Sequence, residues 1–179
     1  MSESKALTLS KINYASLAKL AFLLATAIVS PLFFSQPITG SFVNMTLFLA
    51  VYFYGFKKEA IAVAVMPSLV AVACGQLLWA LAPMVPFIML SNLILMAVFV
   101  FIYRKYKNFL AGIMVAAFIK FVWLYATSHV LIFAVLHSAI AAKVAVMMSW
   151  PQLATAVAGG LMAYLAIKVS TSSSVKTRD

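Results

Sequence analysis

Acidic residues are nearly missing from this chain. It has three in 179 residues, and none lies inside an apolar run. Glu3 and Asp179 sit in the tails, and Glu59 stands beside Lys57 and Lys58 at the edge of a hydrophobic segment. This scarcity removes whole classes of membrane function, because proton relays, cation sites and most metal sites draw on carboxylates. Charge of either sign is sparse, at 9% of residues, too little for the surface of a water-soluble domain. The single cysteine, Cys74, excludes an internal disulfide and a cysteine-built zinc cluster. A Gly-x-x-x-x-Gly-Lys-[Ser/Thr] phosphate loop is also missing, so the chain carries no motif for nucleotide hydrolysis.

What fills the chain instead is apolar. Hydrophobic residues make up 66% of it and the mean hydropathy is +1.11, which calls for lipid as the solvent. A transmembrane helix takes about 20 residues, so one domain of this length holds at most six or seven spans. The net charge of +10 then fits loops facing an anionic membrane surface, and no nucleic-acid partner is expected.

Apolar runs and their punctuation mark six spans: about 16–34, 40–55, 59–81, 85–103, from 108 past 128, and 151–168. The first is read as a span and not as a removed signal peptide, because Pro31 and Gln36-Pro37 follow it in place of a small-residue cleavage site. Ser149 and Pro151 form a helix-start signal for the last. The Ser/Thr-rich end, 169–179, reads as a disordered tail. Of the 13 basic residues, all but Lys120 and Lys143 fall in the N-terminal stretch, the 2–3 loop, the 4–5 loop or the C-terminal stretch. With six spans and both ends inside, those eleven are cytoplasmic. The outer segments are then 35–39, 82–86 and 129–150. A seven-span alternative makes 131–148 a membrane helix, but it places Lys168, Lys176 and Arg178 outside.

The expectation is therefore an all-α integral membrane protein of the cell membrane, a compact six-transmembrane-helix bundle with both termini cytoplasmic. Residues 1–14 form a cytoplasmic tail and 15–168 the bundle.

Lys120 is the sharpest anomaly. It lies about 18 Å along the fifth span at 1.5 Å per residue, just past the middle of a hydrocarbon core about 30 Å thick. A lysine there is costly and by default marks a site facing the bundle interior. Trp123 and Thr127 share its helical face. Asn92 enters the fourth span from the outer side and must find a partner in lipid; joining two helices is its plainer role. Gln36-Pro37-Ile38-Thr39-Gly40 reads as an external turn with polar tips, an ordinary connection or a lid, with Asn44 just after it. Trp150 and Gln152 open the last span at the same outer face, where Trp150 is equally an interfacial anchor. These eight residues form the candidate solute site: Lys120, Trp123, Thr127, Asn92, Gln36, Asn44, Trp150 and Gln152.

His129 and His137 stand eight apart without carboxylate or thiolate support, so no metal site is assigned, and no catalytic residue or cofactor either. Ala18, Ala21 and Ala25 make a small-residue face on the first span. Such a face lets helices approach closely and suits packing or the docking of a partner.

The Pro-Ile-Thr-Gly turn before Val43-Asn44, Gly55, Pro67, Pro83-x-x-Pro86-Phe87-Ile88 before Ser91-Asn92, and Phe118-Ile119-Lys120-Phe121 together resemble the substrate-binding S component of energy-coupling factor (ECF) vitamin transporters. The resemblance spans about 15–168. It implies a six-helix binder that captures a neutral or anionic vitamin-like molecule outside and releases it inside. Its implied partners are a transmembrane coupling subunit and two cytoplasmic ATPases. Two departures stand out. The acidic residue suited to a cationic vitamin such as thiamine is missing, as is the N-terminal Met-His of cobalt and nickel members. The alternative reading is a structural or assembly subunit of a larger membrane complex.

Overall fold

The computed structural model describes residues 14–73, 79–135 and 138–176. They form seven α-helices: α1 (Tyr14–Phe33), α2 (Gln36–Tyr54), α3 (Lys58–Ala73), α4 (Val85–Tyr106), α5 (Phe109–Val135), α6 (Ser138–Met147) and α7 (Trp150–Lys176). A short 3-10 helix, Trp79–Met84, leads into α4. Cys74, His137, the basic residues Lys5 and Lys11, and Arg178 lie outside the described residues.

Among the described residues, five helical stretches are long and apolar enough to cross a membrane: Tyr14–Phe33, Gln36–Tyr54, Ala82–Tyr106, Phe109–Ile132 and Val144–Ser172. The third expected span, 59–81, corresponds to α3, described over the 16 residues Lys58–Ala73; its residues 74–78 lie outside the described residues. The outward faces are as apolar as the inward ones. On α5, Ile113, Ala116, Ala117, Lys120, Leu124 and Ser128 form the buried stripe, while Met114, Phe118, Ile119 and Val122 are exposed. A helix apolar all round, at the surface of its bundle, is built for lipid contact.

Several hydroxyl groups are satisfied within their own helix, which suits a medium without water. Thr26, Ser41, Thr46, Ser91, Ser128 and Thr171 each donate to a carbonyl three or four residues back on their own helix. Helical structure also extends further than the residue types suggest. The segment after Ser128 is helical to Val135 and again in α6; Ser128 Oγ donates to the Tyr125 carbonyl and His129 Nδ1 lies 2.9 Å from the same oxygen. Polar residues that close on their own helix give the chain no reason to leave it. The C-terminal tail expected to be disordered is helical through Lys176, with Thr171 bonded to the Ile167 and Lys168 carbonyls. The turn expected at residues 36–40 is the first turn of α2. Ser35 is extended and Pro37 takes an opening position, where a missing N–H costs nothing.

Two halves of the bundle differ in filling. The end holding the α2–α3 and α4–α5 connections is solid. Phe99, at 1% exposure, meets Phe48 edge-on at 5.1 Å and Phe109 at 4.9 Å. Gly112 makes room for its ring, since a methyl group there would come within 2.9 Å of Cδ2. At the opposite end, Met84, Leu124, Val144 and Met148 form a smaller cluster, and a cavity opens beside it. Close approach of α2 and α7 joins the halves. A Cβ at Gly159 would lie 2.5 Å from the Ser41 carbonyl oxygen and 2.7 Å from Asn44 Cβ.

Truncating Phe99 therefore removes the centre of the solid half. Phe99→Ala should cost about 3–5 kcal/mol, seen as a clear drop in unfolding temperature in detergent. Phe118→Ala, on the lipid-facing side, should leave that temperature nearly unchanged.

Candidate functional site

Asn44, Asn92 and Lys120 enter the bundle from three different helices and meet at one point. All three are buried, at 2%, 2% and 3% exposure. Lys120 Nζ donates to Asn44 Oδ1 at 2.7 Å and to Asn92 Oδ1 at 2.7 Å. Each amide is aimed by its own nitrogen. Asn44 Nδ2 donates to the Gly40 carbonyl one turn back on α2, at 2.8 Å. Asn92 Nδ2 donates across to the Ala64 carbonyl of α3, at 3.0 Å. With both NH2 groups held on backbone oxygens, both carbonyl oxygens face the lysine. Four helices thus take part in holding one amine.

The electrostatic setting is one-sided. Among the described residues the one carboxylate is Glu59, in the first turn of α3 at the opposite end of the bundle. The lysine therefore rests on amide dipoles alone. An ammonium has three N–H donors, and two are used here.

Lys120 lines a cavity of about 560 Å³ at the end away from the basic loops. Asn44, Asn92, Gln36 and Gln152 line it as well, with Thr39, Ser68 and Thr155. The rest of the wall is apolar: Pro31, Phe34, Pro67, Val85, Ile88 and Met148. Gln152 Nε2 is held on the Met147 carbonyl at 3.1 Å, which leaves its side-chain oxygen toward the available acceptor role. Size, apolar walls and a few convergent polar groups are the features of a small-molecule site.

Five of the eight expected site residues come together here: Lys120, Asn92, Asn44, Gln36 and Gln152. Three do not line this cavity. Trp123 packs with the Met84 cluster and donates from Nε1 to the Phe87 carbonyl at 3.2 Å. Thr127 donates to the Trp123 carbonyl at 2.8 Å. Trp150 is 69% exposed. Sharing a helical face with Lys120 failed as a guide because that face is long. One turn past the lysine it leaves the cavity and meets α4. Thr155 was missed, although it lies one turn after Gln152. Pro31 and Phe34 were missed because the end of an apolar span gives no signal of what it faces.

Ala18, Ala21 and Ala25 are all exposed. Inside the bundle α1 uses Leu23, Ala27 and Ser30 instead. Among the described residues, the small-residue face is thus not packed against the other helices.

In comparisons with family models, curated proteins and solved structures, nothing matches this chain.

Removing an amide should hurt more than removing the amine. Asn92→Leu strands a buried lysine without one of its acceptors, and a hydrogen bond to a charged group is worth about 1.5–3 kcal/mol. Lys120→Met deletes the costly group and leaves only neutral amides behind. Thermal unfolding in detergent should show Asn92→Leu as the clearly less stable variant. The double variant should recover much of the loss, as expected for directly coupled residues.

Proposed function

We propose that the chain is the solute-capture subunit of an ECF-type uptake transporter, a six-span protein of the cell membrane with both termini in the cytoplasm. The solute is a neutral or anionic, vitamin-like small molecule. It enters the cavity from outside and places an oxygen on the free N–H of Lys120, while its body lies against Phe34, Ile88 and Met148. Release inside is driven by partners, a transmembrane coupling subunit and two cytoplasmic ATPases. No chemistry is done on the solute.

The observation that carries this reading is a buried lysine without an acidic partner among the described residues, held by two oriented amides at the wall of a cavity. A lysine near the bilayer centre costs roughly 2.5–3.5 kcal/mol on insertion scales. A group so expensive, and held so deliberately, makes sense where a ligand oxygen completes its shell. The cavity also lies away from the basic loops, which puts it outside if those loops are cytoplasmic.

The alternative is a structural or assembly subunit of a larger membrane complex, favoured by the exposed Ala18, Ala21 and Ala25 face. In the transport reading the same face is a docking surface for the coupling subunit.

Mass spectrometry of small molecules that co-purify with the chain separates the two. The transport reading expects one recurrent solute, held about tenfold or more weakly by Lys120→Met. If a solute is found and Lys120→Met binds it as tightly as the parent, the site is misassigned. No recurrent solute favours the assembly role.

Topology has its own check. A cysteine at position 106, in a Cys74→Ala background, should be shielded from a membrane-impermeant maleimide in intact cells and react once cells are opened. Labelling in intact cells would reverse the orientation.

A further inference from the structure

A second groove lies at the basic end of the bundle, far from the Lys120 cavity. It encloses about 530 Å³ and is lined by Phe56, Ala97, Val100, Phe101, Arg104 and Lys105. Five of these six are on α4, at spacings of three, four, seven and eight from Ala97. That is one face of one helix. Along the face, chemistry changes in a single direction: a small residue, then apolar and aromatic side chains, then two cations in the last turn.

Phe56 closes the other side. It follows Gly55, whose φ of +67° ends α2 and turns the chain toward α3. Lys57 and Lys58 come next and are exposed. Arg104 and Lys105 are exposed too, and Lys105 Nζ stands 6.0 Å from the Phe101 ring centre and 5.2 Å from that of Tyr106. Glu59, in the first turn of α3, is the one acid near this end among the described residues. Arg104 and Lys105 in the lining, with Lys57 and Lys58 next after Phe56 in sequence, make this end of the groove positive.

We propose that this groove binds an anionic phospholipid. The phosphodiester sits between Arg104 and Lys105, and one acyl chain runs along Phe101 and Val100 to the notch at Ala97. Geometry supports a lipid over a free anion. From Arg104 to Ala97 the helix runs about 10 Å, all of it apolar, in the direction an acyl chain takes from a headgroup. A free phosphate uses none of that surface. Charge supports an anionic lipid over a zwitterionic one, because basic clusters at helix ends select anionic headgroups. The arginine suits a phosphate through its planar fork of donors.

The test uses the full chain in detergent. Native mass spectrometry with phosphatidylglycerol and phosphatidylcholine of matched acyl chains, at equal concentration, reads lipid occupancy. Phosphatidylglycerol should be retained preferentially. Arg104→Gln/Lys105→Gln should reduce its retention about tenfold or more, since each basic side chain near a headgroup contributes on the order of a fivefold preference. Lys19→Gln/Lys168→Gln removes the same net charge elsewhere and should retain the lipid. Ala97→Trp fills the acyl notch at an exposed position and should also weaken retention, with both cations intact.

Equal retention of the two lipids would overturn the proposal. So would undiminished selectivity in Arg104→Gln/Lys105→Gln. If excess inorganic phosphate displaces the lipid and Ala97→Trp has no effect, the site is a simple anion patch and the lipid assignment fails. Lys120→Met should bind phosphatidylglycerol like the parent, so this result stands or falls apart from the solute site.

Discussion

One amine in an apolar helix organises the cavity half of this protein. Lys120 stands on the buried stripe of α5, in a chain with no carboxylate among its apolar segments to compensate it. Its cost is met by geometry. Two asparagine amides, one from α2 and one from α4, turn their oxygens to it because backbone carbonyls of α2 and α3 hold their nitrogens. A change in any one of these contacts shifts the others, so helix positions and side-chain chemistry are tied together at that point.

Glycine and small residues supply the closeness that this arrangement needs. Gly159 lets α7 approach within contact of the α2 backbone at Ser41, Asn44 and Met45. Gly40 meets Thr155 across the same interface, where a Cβ would stand 3.1 Å away. The α2–α7 pair therefore holds Asn44 in place from behind while leaving the cavity in front of it open. At the other end, aromatic rings around Phe99 fill the interior. The bundle is dense where its basic loops are and hollow where its polar cluster is. A solid base under an open cavity is a sensible arrangement for a small-molecule site.

Much of this was legible in advance, and for identifiable reasons. Apolar runs of span length located α1, α2, α4, α5 and α7, because the need for lipid solvation is written in each residue's own polarity. Lys120 was conspicuous by its depth, and Asn92 by being an amide in an apolar stretch. Asn44 and the glutamines Gln36 and Gln152 were placed by nearness to the same outer end. Helix ends were harder. Gln36-Pro37 carries the residue types of a turn, yet it is helical, and the helix through Ser128-His129 continues to Val135. Proline opens a helix without loss, and serine and histidine close on their own carbonyls. Trp123 and Thr127 were expected beside Lys120 on periodicity alone. Periodicity gives a face but not its neighbour: Trp123 meets α4 and Thr127 bonds carbonyls of its own helix.

The sequence by itself determined where the long apolar segments of α1, α2, α4, α5 and α7 lie, the segments in which its charge gathers, and the place of its one anomalous lysine in an apolar run. These are sums over single residues and need no contact to be known. Tertiary structure alone decided that Asn44 and Asn92, 76 and 28 positions away from Lys120, point their oxygens at it. It also decided that the Ala18, Ala21 and Ala25 face stays exposed, and that one face of α4 ends in a groove rather than in a packed interface. Such outcomes depend on which helices touch and at what distance. That is set by the fit of whole surfaces, such as Gly159 against α2, and no local pattern of polarity encodes it.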